Sequence, residues 1–118
     1  MQSFKQLKVW EKSHSLVLKI YQITNGFPKE ENYGLISQIR RSSSSIPMNI
    51  AEGCGKDTDA EFCRFIGIAN GSASEVEYQL LLSKDLKYIG LPKFNELNVE
   101  ITEIKKMLTS LMKRLKSN

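Results

Sequence analysis

The sequence offers little to a catalytic reading. It has one histidine, His14, and two cysteines, Cys54 and Cys63. A nucleophile needs a base and a third group to orient that base, and one imidazole leaves few such arrangements. A structural zinc site usually needs about four ligands at tight spacings. Cys54, Cys63 and His14 do not supply one, so neither a metal nor a cofactor is expected. Two thiols make no disulfide framework and read as small, half-buried side chains. There is no glycine-rich phosphate loop, and the run Ser42-Ser43-Ser44-Ser45 has no nucleophile motif around it. No stretch of about 18 apolar residues occurs, so no membrane span is expected. The opening Met1-Gln2-Ser3-Phe4-Lys5 lacks the apolar core of a signal peptide. The expectation is a non-enzymatic, cytoplasmic protein.

Alternating strand patterns, low-complexity tracts and internal repeats are absent as well. What the 118 residues do carry is helical spacing, enough for a single domain spanning 1–118. Leu7, Trp10, His14, Val17 and Tyr21 recur at three or four residues and predict a first helix over Phe4 to Thr24. On that stripe His14 reads as a packed histidine. Asn25-Gly26-Phe27-Pro28 stops the helix. A second helix is expected from Glu30 to Glu52, with Leu35, Ile39, Ile46 and Ile50 in phase across Pro47. Unbroken phase across a proline predicts a kink, not a break. After a loop at Gly53–Asp57, Thr58 and Glu61 form a capping-box pattern. The third helix then carries Phe62, Phe65, Ile66, Ala69, Ala73, Val76 and Leu80. Pro92 suits a first turn, and Leu97, Ile101, Ile104, Leu108, Leu111 and Leu115 form a heptad seam in the fourth helix. Short connections make neighbours antiparallel. The predicted fold is all-α: an antiparallel up-down-up-down four-helix bundle whose second helix kinks at Pro47.

Three surface features remain. Ala60, Cys63, Gly67, Gly71 and Ser74 give the third helix a seam of small residues. Mid-helix glycine costs roughly 1 kcal/mol relative to alanine, so the seam implies close approach of another helix or the lining of a narrow channel. Gln38, Arg41, Ser45, Asn49 and Glu52 form a polar stripe at heptad spacing on the second helix. It is either a solvated face or a contact between subunits. Arg41 and Glu52 lie about 16 Å apart along one helix, so they can pair only between copies.

The third feature is charge. The net charge is +4. Lys5, Lys8 and Lys12 begin the first helix, and Lys113, Arg114 and Lys116 end the fourth. An antiparallel bundle brings these clusters together, with Lys56 in the loop nearby. Such an end would bind nucleic-acid backbone, although lysine stripes are often only solvated. Trp10, Tyr21, Phe62 and Phe65 fall on core stripes, so stacking on bases is not expected.

Gln38-Ile39-Arg40-Arg41 followed by Ser45-Ile46-Pro47-Met48-Asn49-Ile50-Ala51-Glu52-Gly53 resembles the signature of a bacterial family. These are the four-helix bundle proteins first noticed as reading frames within intervening sequences of 23S ribosomal RNA genes. Phe4-Lys5-Gln6-Leu7-Lys8-Val9-Trp10 and Gly71-Ser72-Ala73-Ser74-Glu75 are similar too, and the likeness covers about Phe4 to Tyr88. The chain departs from the pattern at Ser42, Ser43 and Lys56. The resemblance implies a homopentamer, related to the accessory protein of diversity-generating retroelements, a basic barrel that binds nucleic acid and a reverse transcriptase. It implies no enzyme. Two functions stay open: an oligomeric adaptor that binds RNA or DNA backbone without sequence preference, and an oligomeric protein-interaction scaffold with no nucleic-acid role.

Overall fold

A computed structural model describes residues 3–117. The ends of the expected 1–118 domain, Met1, Gln2 and Asn118, lie outside the described residues. Four helices account for most of the chain: α1 Lys8–Thr24, α2 Leu35–Cys54, α3 Asp59–Asp85 and α4 Leu91–Lys116. Short 3-10 turns precede the first two, at Phe4–Gln6 and Lys29–Glu31. No strand occurs among the described residues.

Side-chain partners set the relative directions. Gln79 Nε2 donates to Ser42 Oγ, and Ser72 Oγ lies 2.9 Å from Ser45 Oγ. Lys105 reaches Glu77, Lys12 reaches Glu103 and Lys19 reaches Glu100. Between α2 and α3, and between α1 and α4, numbers rise along one partner as they fall along the other. The core between the helices is aliphatic. Leu16, Ile20, Ile39, Ile46, Ile50, Ile66, Leu80, Leu97, Ile101 and Leu108 have no exposure. A smaller cluster of Phe27, Leu35 and Ile36 closes the far end with Leu82, Tyr88 and Ile89.

The third and fourth helices follow their expected stripes; the first is rotated. Its buried residues are Val9, Ser13, Leu16, Ile20 and Thr24. His14 and Tyr21 are exposed, and Trp10 and Val17 half-buried. His14 is therefore a surface group, its ring lying 5.1 Å from that of Trp10 and nearly parallel to it. The reason is local. Ser13 Oγ donates to the carbonyl of Trp10 and Thr24 Oγ1 to that of Ile20. Each hydroxyl is satisfied by its own helix, so burying it carries little of the usual penalty. Counting only apolar residues misses both positions.

Helix α2 starts later than Glu30. Gly34 precedes it, and Glu31 folds back so that its Oε1 accepts the N–H of Leu35 at 3.1 Å. The helix runs through Pro47 without interruption and takes Gly53 and Cys54 into its last turn, where a loop was expected. A Cβ on Gly53 would lie 2.8 Å from Phe62 Cδ1 and 3.0 Å from Phe65 Cβ. The bare backbone lets the end of α2 meet the start of α3. Thr58 caps α3 by accepting the N–H of Glu61. The other end of α3 closes with Tyr88 N–H donating to the Ser83 carbonyl and Lys87 N–H to that of Lys84. Lys87 takes a φ of 66°, the left-handed stop usually given to glycine.

Candidate nucleic-acid and assembly surfaces

The expected basic end is only partly free. Lys12 pairs with Glu103 of α4 at 2.8 Å, so it is a weaker candidate for backbone binding than Lys5 or Lys8. Lys56 lies 3.9 Å from Glu52 and 5.1 Å from the Phe65 ring centroid. With a carboxylate this near, it too is a weaker candidate than its position suggested. Lys19 sits between Glu100 at 2.7 Å and Glu96 at 3.6 Å. The hydrogen bond it donates to Glu100, with the charge of both carboxylates, holds its ammonium above the ordinary lysine range. Carboxylates of α4 thus hold two lysines of α1 along the bundle.

What remains is a set of cations at one end. Lys8, Lys106 and Arg114 line a common groove between the start of α1 and the end of α4. Lys113 and Lys116 lie in the last turn of α4, and Lys5 in the 3-10 turn before α1. None of these six makes an ion pair among the described residues. Lys106 lies about two turns before Lys113, and the packing of α4 against α1 brings it beside Lys8.

The polar stripe of α2 divides in two. Asn49 Nδ2 donates to the Ser45 carbonyl at 2.8 Å and to Ser45 Oγ at 2.9 Å. Ser45 in turn meets Ser72, so these two residues bind α2 to α3. Within the serine run Ser42 and Ser43 are buried, Ser42 accepting from Gln79 of α3 and Ser43 donating to the Arg40 carbonyl of its own helix. Gln38, Arg41 and Glu52 stay exposed. Arg41 lines a polar groove of about 400 Å³ with Gln38, Ser42, Glu75, Gln79 and Tyr33. Neither Arg41 nor Glu75 makes an ion pair among the described residues. Gln79 is buried, and its Oε1 has no hydrogen-bond partner. The residue before Arg41 in the signature behaves differently. Arg40 donates from Nε to Thr24 Oγ1 and from Nη2 to the Tyr21 carbonyl and Asn25 Oδ1. A guanidinium there satisfies the end of α1 and complements its negative pole.

The small-residue seam of α3 is only partly covered inside the chain: Cys63 is buried, while Ala60, Gly71 and Ser74 are exposed. Gly71 is exposed, and a Cβ there would meet nothing within 4 Å. Gly67 would make only ordinary contact with Met112 at 3.8 Å. On the same helix Ile68, Tyr78 and Leu81 are exposed. Among the described residues no cluster of three metal-binding side chains occurs. No helix is long and apolar enough to cross a membrane. Burial pushes the Cys54 thiol up, away from the reactive thiolate.

A family model described as 23S rRNA-intervening sequence protein matches residues 5–110 and so reaches into α4, beyond the likeness legible by eye. A crystal structure from Bacteroides thetaiotaomicron VPI-5482, of a protein with unknown function from the S23 ribosomal protein family, is also similar. The TM-score is 0.80 and the identity 31%, over 89% of this chain and 98% of that one. No curated protein matches the chain.

Proposed function

Because the chain belongs to the 23S rRNA-intervening sequence protein family, we propose that it is a non-catalytic, self-assembling bundle that binds nucleic-acid backbone through its basic end. The observation that carries this reading is the unpaired set Lys5, Lys8, Lys106, Lys113, Arg114 and Lys116. The acids of α4 neutralise Lys12 and Lys19 and leave that end alone. Backbone binding needs clustered cations and no base-reading device. One subunit carries few charges, so affinity comes from several ends held side by side. Assembly is supported by the exposed Arg41 and Glu75 beside an unsatisfied Gln79, and by the uncovered seam at Gly71. Five copies are the number the family resemblance implies. Two free, buried thiols suit a reducing, cytoplasmic setting.

The test is a titration of labelled RNA at two salt concentrations, with wild type and a Lys113→Glu, Lys116→Glu double variant. Wild type should bind random and structured RNA alike, lose affinity steeply with salt and exceed the variant at both concentrations. Equal binding by the variant, or none by wild type at low salt, would leave the scaffold function in its place.

A further inference from the structure

We propose that the groove between the start of α1 and the end of α4 docks a protein segment carrying one large apolar residue flanked by carboxylates. The groove has a volume of about 280 Å³. That is at the small end for a drug-sized ligand, typically about 300–1,000 Å³, and suits a single anchoring side chain. Leu7, Val9, Met107 and Leu111 give it an apolar lining. Leu7 and Met107 are only half-buried and rest on the core, so their outer surfaces remain to be covered.

Charge decides the occupant. Lys8, Lys106 and Arg114 surround the lining and have no carboxylate partner among the described residues. The one acid of the groove, Glu103, is held by Lys12 at 2.8 Å. The site therefore offers apolar surface inside a ring of uncompensated positive charge. An aliphatic or aromatic anchor would gain from the first, and flanking Asp or Glu from the second. Nucleic acid fits less well. Phosphates would use the cations but leave the lining empty, and no aromatic ring lines the groove as a platform for a base. This goes beyond backbone binding: the same end of the molecule has a protein-binding side, as an adaptor needs.

The probes are short fluorescein-labelled peptides with glutamates on both sides of a central Trp, Phe, Leu or Ala. Fluorescence anisotropy against the whole protein should give binding at least about tenfold tighter for the Trp, Phe and Leu peptides than for the Ala peptide. Met107→Gln, with its fold checked by circular dichroism, should weaken that preference and, adding no charge, leave binding of labelled RNA unchanged. Binding without anchor preference overturns the proposal, as does an unaltered preference in Met107→Gln or no binding of any peptide at low salt. If Met107→Gln fails to fold, the anchor comparison on wild type decides alone. RNA is titrated separately, so loss of RNA binding with the anchor preference intact would count only against the backbone-binding reading.

Discussion

Glu31 joins two of the three helix connections of the chain: its Oε2 accepts the Tyr88 hydroxyl at 2.8 Å while its Oε1 accepts the N–H of Leu35. One carboxylate thus starts α2 and holds the α3–α4 link. The hydrogen bond to Glu31, then burial, then the nearby negative charge raise the Tyr88 hydroxyl above the ordinary 10.0. A raised pKa means the folded state favours the protonated phenol. The resulting stabilisation is complete below pH 10 and is lost as pH rises past the folded value. Thermal unfolding between neutral and strongly alkaline pH should show this loss, and Tyr88→Phe should flatten the alkaline part of the profile. An identical alkaline profile in the variant would place the sensitivity elsewhere.

Lys87 pays for the stop of α3 with a left-handed backbone. A non-glycine residue there costs roughly 1–2 kcal/mol, partly offset in a glycine variant by the freer unfolded chain. Lys87→Gly should raise stability by about 0.5–1 kcal/mol in urea denaturation. A neutral or negative change would show that the lysine side chain contributes more than its backbone costs.

Two glycines on facing helices should respond oppositely to alanine. At Gly53 the new methyl would collide with Phe62 and the Phe65 backbone-proximal carbon, and overpacking of this kind typically costs about 1–3 kcal/mol. At Gly71 it would meet nothing, so helix propensity alone acts and favours alanine by up to about 1 kcal/mol. Urea denaturation of both variants checks the pair. Destabilisation by Gly71→Ala would mean that its face is covered in the assembled protein.

Arg41→Glu should weaken self-assembly. It would set a carboxylate beside Glu75 in the α2–α3 groove and remove the one guanidinium that lines it. Light scattering at micromolar concentration should give several chain masses for wild type and fewer for Arg41→Glu. Lys29→Glu, exposed in the turn before α2, is the control and should leave the mass unchanged. A monomeric wild type would remove the assembly from the proposed function.

Spacing alone located all four helices, because aliphatic residues at α4 positions such as Leu97, Ile101 and Leu108 have no other plausible place than the core. It also carried α2 through Pro47. It failed where burial depends on a hydrogen bond and not on hydropathy, as at Ser13 and Thr24. Pairing was equally hidden. Nothing in the order of residues joins Lys12 to Glu103, yet that contact decides which lysines are available. Arg40 and Arg41 are adjacent and alike on paper. One ties off α1, and the other faces outward. The small-residue seam reads as helix packing or a channel lining, and at Gly71 a methyl would meet nothing within the chain.

The way α1 is fastened sets the order in which the molecule comes apart. Its fully buried apolar side chains are Val9, Leu16 and Ile20, fewer than in any other helix, with Trp10 and Ile23 half-buried against the core. Ion pairs along α4 and the Arg40 knot at its end add to this attachment. Its tether to α2 spans residues 25–34, longer than the links at 55–58 and 86–90. Exposed ion pairs contribute little and weaken in salt. In native-state opening, α1 is therefore the first unit to leave and its amides the first to exchange, while α2, α3 and α4 persist as a three-helix remainder. A detached α1 on a long tether is also the element most readily exchanged between copies.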